Sequence, residues 1–436
     1  MTTPAPERVA VVGLWHLGSV TSACLASLGT DVVGFDPDDT TVSDLAAGRP
    51  PVAEPGLAEL VERMAAAGRL RFTSDRSAAL EDAAVVWVTF DTPVDDDDHA
   101  DSAPVIAEID RLIPLLAHDA TLIVSSQLPV GSARRVESRV AALRPSTDIG
   151  VACVPENLQL GRALDAFLHP PRVVVGVRGA RDRDRVAALL DALDAEIVWT
   201  TPESAEMSKH ALNAWLATSV AYTNEVARLC EQTGARADEV EQALRSDPRI
   251  GARAYVHAGA AFAGGTLARD LAYLRELGAE HGMSTPLLDG VAGSNALHMT
   301  WAEQVIADEL GDLQGIGIAV LGLTYKPGTD TLRRSASVEL CRTLASRGAA
   351  VRVHDPAARE LPADLAVTRV ATAEDAVRDA RVVVIATPWP EYAELARDHL
   401  VEAMAAPALV VDAAGLRRDL ATEDPRVVYR TVGRTR

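Results

Sequence analysis

The chain has 436 residues, too many for one ordinary hydrophobic core, so two or three domains are expected. Its apolar fraction of 48% suits packed layers and excludes a disordered chain. A formal charge of −20 argues against nucleic acid or an anionic membrane as partner, and no apolar run reaches the roughly 18 residues needed to cross a bilayer.

The short polar stretch Met1–Glu7 leads straight into a strand, so a cytoplasmic protein without a secretory signal is expected. The pattern predicts strands over 8–13 and 31–36, the second ending in Asp36, with a helix over 18–28 between them. Strands over 84–90, 121–126, 150–154 and 172–177 alternate with helices over 55–67, 102–117 and 131–143, which predicts a doubly wound parallel sheet. At residue 200 the character changes. Thr201-Pro202-Glu203 is a helix start, and no breaker follows until Gly234, so one helix of about thirty residues is expected. More helix is predicted over 237–245, 267–280 and 285–310. A second α/β pattern then begins, with strands over 316–321, 350–355 (ending in Asp355), 381–386 and 408–412 and a helix over 335–347. The expected fold is α/β: an N-terminal Rossmann domain over 1–199, a helical domain over 200–312 and a second Rossmann-like domain over 313–436.

Cys24, Cys153, Cys230 and Cys341 are scattered singly, the pattern of reduced, buried thiols, and no metal site is expected. The acidic run Asp95–Asp98 reads as a solvated turn, because consecutive residues do not converge on one ion. The basic residues are more telling. Of 42 lysines and arginines only two are lysines, Lys209 and Lys326, which suggests that each does what arginine cannot, such as titrating near neutrality or fitting a narrow pocket.

Four motifs carry chemistry. Gly13-Leu14-Trp15-His16-Leu17-Gly18 lies between strand and helix, where glycines let a backbone approach a pyrophosphate. Asp36 ends the next strand and is placed for a ribose 2′-hydroxyl, favouring NAD. Trp15 stands where the middle glycine of that pattern belongs. Lys209, Asn213 and Asn224-Glu225 fall on one stripe of the long helix, as in a lined cleft. The small-residue loop Phe262-Ala263-Gly264-Gly265-Thr266 leads into Leu267-Ala268-Arg269-Asp270. Gly322–Asp330, holding Lys326, ends the first strand of the second Rossmann-like region, the edge where parallel sheets bind ligands.

Together with Glu54-Pro55-Gly56-Leu57, Leu128-Pro129-Val130-Gly131, Pro155-Glu156-Asn157-Leu158, Asp247-Pro248-Arg249-Ile250-Gly251 and Thr387–Tyr392, these segments resemble the UDP-glucose/GDP-mannose dehydrogenase family over nearly the whole chain. The resemblance implies NAD as cofactor, a UDP- or GDP-linked sugar as substrate, and a homodimer built on the long helix. It implies a reacting centre of Glu156, Lys209, Asn213, Asp270 and the position of Thr266. Gly13, Trp15, His16, Leu17, Gly18, Asp36, Thr92 and Gln127 are expected on the cofactor. Leu158, Tyr255, Phe262, Gly264, Gly265, Lys326 and Arg333 are expected on the substrate, with Arg249 reaching it, in a neighbouring subunit or its own.

The family's two successive oxidations of a C6 alcohol run through a cysteine thioester, and here that cysteine falls on Thr266. A hydroxyl cannot form a thioester. Gln127 and Arg269 also differ from the residues the family places there. The sequence therefore predicts one hydride transfer, giving a ketone or a released aldehyde, with Lys209 or Glu156 as base. An epimerase that retains its NAD and an inactive regulatory homologue are the alternatives. Arginine-rich composition points to a high-GC organism and an antibiotic sugar pathway, for example one using a GDP-octose.

Overall fold

The computed structural model describes residues 8–93, 100–156, 158–263, 265–332, 334–421 and 425–434. Contacts divide the chain into two compact units between His210 and Ala211. The expected N-terminal segment, the acidic run Asp95–Asp98, Asn157, Gly264 and Arg333 lie outside the described residues.

The first unit is built on a sheet ordered β3-β2-β1-β4-β5-β6-β7-β8. Its strands are β1 (Arg8–Val12), β2 (Val32–Phe35), β3 (Leu70–Thr73), β4 (Ala83–Val88), β5 (Thr121–Val124), β6 (Gly150–Cys153), β7 (Arg172–Val177) and β8 (Glu196–Thr200). The helices run α1 (His16–Ser27), α2 (Asp39–Ala46), α3 (Leu57–Ala66), α4 (Arg76–Leu80), α5 (Ala103–Leu112), α6 (Ser132–Leu143), α7 (Ala163–Leu168) and α8 (Ala180–Leu190). The central strands are Val/Ile/Leu runs buried on both faces, as a sheet covered by helices requires. One expectation is corrected: β7 runs antiparallel to β6, with Ala152 opposite Val177. The chain leaves β6 through the short α7 and comes back along the same edge, so no crossover is made. The helix predicted over 102–117 stops at Leu112 and tightens into a 3-10 turn over Ile113–Leu115, where Pro114 removes a donor.

The long helix α9 spans Pro202–Thr233, as its start and stop signals predict. In the second unit α10 (Ala237–Ser246), α11 (Leu267–Glu280), α12 (Pro286–Met299) and α13 (Trp301–Leu310) follow. The single helix predicted over 285–310 is two, broken at Thr300, which ends α12 and starts α13. The second sheet is parallel throughout, ordered β11-β10-β9-β12-β13-β14. Its strands are β9 (Gly317–Leu321), β10 (Ala350–His354), β11 (Thr368–Arg369), β12 (Val382–Ile385), β13 (Ala408–Asp412) and β14 (Val427–Arg430), with α14 (Ala336–Ser346) after β9. In each sheet the strand order reverses beside the first strand, the position where open α/β sheets bind ligands. Among the described residues no helix is long and apolar enough to cross a membrane.

Candidate active site

The glycine loop after β1 is shaped by close contacts. Gly13 has φ +95°, and a Cβ there would lie 2.6 Å from Phe90. A Cβ on Gly18 would lie 1.8 Å from the Gly13 carbonyl oxygen, so only glycine lets α1 approach β1 this closely. Trp15 precedes α1 in an ordinary extended conformation (φ −70°), so its lack of a glycine strains nothing; its indole is 51% exposed. No side chain caps α1 and its first turn holds no acid, leaving its N–H groups for an anion. Asp36 accepts a hydrogen bond from the Leu14 N–H at 2.8 Å and stays half-buried at the loop. Tight glycines, an uncapped helix start and an acid at the end of β2 fit a dinucleotide.

At the carboxyl edge of the same sheet lies a pocket of about 360 Å³ that includes Gln127, Cys153, Glu156, Glu206 and Lys209 in its lining. Lys209 Nζ is 3.7 Å from Glu156 Oε1, while Glu156 Oε2 accepts from the Leu158 N–H at 2.7 Å. Lys209 is held in place from its own helix. Glu206, one turn earlier, accepts from the Gly131 and Ala133 N–H groups at 2.6 and 2.7 Å at the start of α6. Burial pushes the Glu206 pKa up, opposed by those two amides. Thr92, expected at the cofactor, donates its hydroxyl to the Gln127 carbonyl at 2.8 Å and so ties the ends of β4 and β5 together. Cys153, expected as a reduced, buried thiol, also lines this pocket, a placement not anticipated from the sequence. Its signal was its place at the end of β6, just before Val154-Pro155-Glu156. Burial, and secondarily the Glu206 charge, push its thiol pKa up, so it is a protonated thiol at neutral pH.

In the second unit the Asn213 side-chain amide donates to Asp270, and both are buried. Asn213 is one turn beyond Lys209 on α9. Arg269 Nε lies 3.8 Å from the other Asp270 oxygen. Thr266 precedes α11; its carbonyl accepts from the Asp270 N–H at 3.3 Å, and its side chain and Gly265 are exposed. Asn224, expected to line a cleft, does something else. Buried, it clasps the preceding loop, accepting from Gly259 N–H at 2.9 Å and donating to the Ala260 carbonyl at 3.3 Å. His298 Nε2 meets the Gly259 carbonyl at 2.7 Å, and Asn295 bonds both the N–H and the carbonyl of Phe262 at 3.0 Å. The Phe262 ring joins a cluster with Ala214, Ala217, Leu271 and Val291. These buried polar side chains hold Gly259, Ala260 and Phe262 ahead of Thr266. No sequence period signals them, because their partners are backbone groups far along the chain.

Arg249 is exposed and paired with Asp247 at 2.7 Å, and Tyr255 is 58% exposed; both face solvent on their own unit. Lys326 is half-buried in the loop after β9, its Nζ 5.6 Å from the Tyr325 ring centre.

A glycine loop of dinucleotide type, a lysine–carboxylate pair at the same sheet edge and a second nucleotide-type sheet define a dehydrogenase acting on an alcohol. Comparison with known proteins agrees. The sequence matches the UDP-glucose/GDP-mannose dehydrogenase family in its NAD binding domain over residues 7–194, its central domain over 203–296 and its UDP binding domain over 319–418. The UDP-glucose 6-dehydrogenase of Rhizobium meliloti (strain 1021) is 34% identical over 438 residues, covering 98% of this chain and 99% of that protein. That of Pseudomonas aeruginosa is 32% identical over 450 residues, covering 98% of each. A UDP-glucose dehydrogenase structure from Pyrobaculum islandicum superposes with a TM-score of 0.88 at 31% identity over all of both chains. The protein is an NAD-dependent oxidoreductase acting on CH–OH groups. It belongs to the UDP-glucose/GDP-mannose dehydrogenase family, and its substrate is a nucleotide sugar.

Proposed function

We propose that this dehydrogenase performs a single two-electron oxidation of a nucleotide-sugar hydroxyl to a ketone or a released aldehyde, without the second step to a carboxylate. One observation carries the reading: Thr266, not a thiol, stands one helical turn before Asp270 and its partner Asn213. Cys153, beside Glu156 and Lys209 in the first unit, does not replace it, because burial keeps it protonated.

Oxidising a carbinol needs a proton acceptor, a partner for the developing alkoxide and a hydride acceptor. NAD, when bound, supplies the last. The Glu156–Lys209 pair supplies the other two: Glu156 takes the hydroxyl proton while the Lys209 ammonium faces the oxygen as negative charge grows. Lys209 as the base is the second reading. Asn213, fixed by Asp270, orients the hydroxyl, and the exposed Thr266 side chain offers a hydrogen bond where a nucleophile would be needed for a second oxidation. Lys326 holds a phosphate of the nucleotide. A UDP- or GDP-linked sugar fits this reading, with a GDP-octose of an antibiotic pathway as the candidate that the arginine-rich composition supports.

The functional form is a homodimer working in the cytoplasm. Trp215, Tyr222 and Leu229 recur every seven residues on α9 and are each more than half exposed, as are Leu287 and Leu297 of α12. A stripe of that spacing seals by packing against a second copy. The four free, buried cysteines suit a reducing compartment.

The test supplies NAD with UDP- and GDP-sugars and follows NADH with the product mass. One NADH per sugar and a loss of two daltons are expected, and Thr266→Cys should add acid product. Two NADH per sugar with a carboxylate from the unaltered enzyme overturn the proposal, and turnover without net NADH marks an epimerase instead.

A further inference from the structure

Glu54 lies in the loop before α3, outside the pocket, yet its side chain is only 1% exposed. A carboxylate so deeply buried must be paired or hydrogen-bonded, or its burial is severely unfavourable. Three groups from two separate stretches of chain meet it. His16 Nε2, from the first turn of α1 in the glycine loop, is 3.0 Å from Glu54 Oε2. The Gly161 N–H donates to the same oxygen at 2.9 Å, and the Ala163 N–H donates to Oε1 at 2.8 Å. Gly161 and Ala163 end the segment that carries Glu156 and Leu158 and begins α7, and α7 packs directly on α1.

We propose that Glu54 is a positioning residue: it clasps the cofactor loop through His16 to the segment carrying Glu156, so that occupation of the glycine loop by the dinucleotide orders that segment for the sugar. The inference rests on the reading of Glu156 as part of the reacting centre, but it concerns the coupling between two loops rather than the reaction. The Glu54 oxygens accept all three hydrogen bonds at once, which no neutral side chain of that length reproduces. In a glutamine one oxygen becomes an N–H₂ group, which faces the Ala163 amide or the Gly161 amide donor to donor.

The test needs no substrate, so it stands apart from turnover on nucleotide sugars, which decides the reaction separately. Backbone hydrogen exchange of the peptide 159–168 is measured in the full-length enzyme with and without saturating NADH. In the unaltered enzyme NADH should slow this exchange about fivefold. His16→Ala leaves Glu54 on its two amides, so the peptide should exchange as in the unaltered enzyme without NADH and show no slowing when NADH is saturating. Glu54→Gln should exchange faster in both states and also lose the NADH effect. Full NADH-dependent slowing in His16→Ala overturns the proposal, as does the absence of any NADH effect in the unaltered enzyme. His16→Ala keeps the test decisive if Glu54→Gln does not fold.

Discussion

The two sheets begin with the same device and put it to different uses. Gly13 and Gly322 both sit at the end of a first strand with φ of +95° and +93°. Each donates its N–H at 2.8 Å to the carbonyl ending the neighbouring strand, Phe35 in one and His354 in the other. Each is pressed from the facing strand end, by Phe90 or by Thr387, so that a Cβ does not fit. An acid then follows the second strand and accepts a backbone N–H from the loop: Asp36 from Leu14, Asp355 from Leu323 and Thr324. The difference lies in what comes next. In the first sheet α1 starts at His16, so the uncapped helix end itself closes the loop. In the second, Leu323–Ser335 intervene before α14, and the long loop brings a side chain, Lys326, where the other offers backbone N–H groups. On the function proposed above, the short turn would read a pyrophosphate by geometry and the long loop a phosphate by charge.

That contrast also divides labour between the sheets, and substitution can break it. Glu156→Gln and Lys209→Met, at the edge of the first sheet, should each lower kcat by about 10² to 10⁴-fold with little change in nucleotide-sugar KM, read from initial rates of NADH formation. Lys326→Ala, beside the second sheet, should do the reverse, raising the nucleotide-sugar KM by about tenfold while kcat and the NAD KM hold. The two acids sharpen the comparison further. Asp355 is buried; burial pushes its pKa up, but the N–H groups of Leu323, Thr324, Ala358 and Ala357 outweigh it and hold the pKa below the usual range. Asp355→Asn should therefore cost about 1–3 kcal/mol in denaturant unfolding and leave the NAD KM unchanged. Asp36 takes fewer bonds and remains half-buried, so Asp36→Asn should raise the NAD KM by roughly tenfold and cost little stability.

The smallest expected effect concerns the loop leading to Thr266. Burial lowers the His298 pKa below the ordinary 6.5, with the Gly259 hydrogen bond opposing the shift. The unfolded chain then takes up a proton before the folded one does. His298 contributes its full stability above about pH 6.5 and loses it as the pH falls towards its folded value. The melting temperature should drop between pH 7 and 5.5 in the unaltered protein, and His298→Gln, which still reaches the Gly259 carbonyl, should flatten that slope. An unchanged slope in the variant refutes the assignment.

Much of this was legible in the amino-acid order because it depends on local period and punctuation. The alternation of apolar runs with helical stretches marked the central strands of both sheets, and Thr201-Pro202 with Gly234 bounded α9. Gly13, Gly18 and Asp36 marked the turn that opens the NAD binding domain, and Lys209 lies in a pocket beside Glu156. Strands β3, β8, β11 and β14 escaped notice because segments this short, at or near the sheet edges, carry too little pattern to read. The direction of β7 was also hidden, since an apolar strand reads the same either way round.

Only the tertiary structure could decide which polar residues are tied to partners in the interior and which stay open to solvent. Asp36 and Asp355 end their strands alike in the sequence, and burial and the number of N–H groups each accepts separate them. Asn213 and Asn224 share a helix, yet one pairs with Asp270 and the other clasps a loop. Cys153 and Glu54 carried no periodic signal at all, because a buried polar group is defined by the partners that fold brings to it. Local order writes the scaffold, whereas the cost of leaving a donor, acceptor or charge unsatisfied in the interior assigns each polar side chain its role.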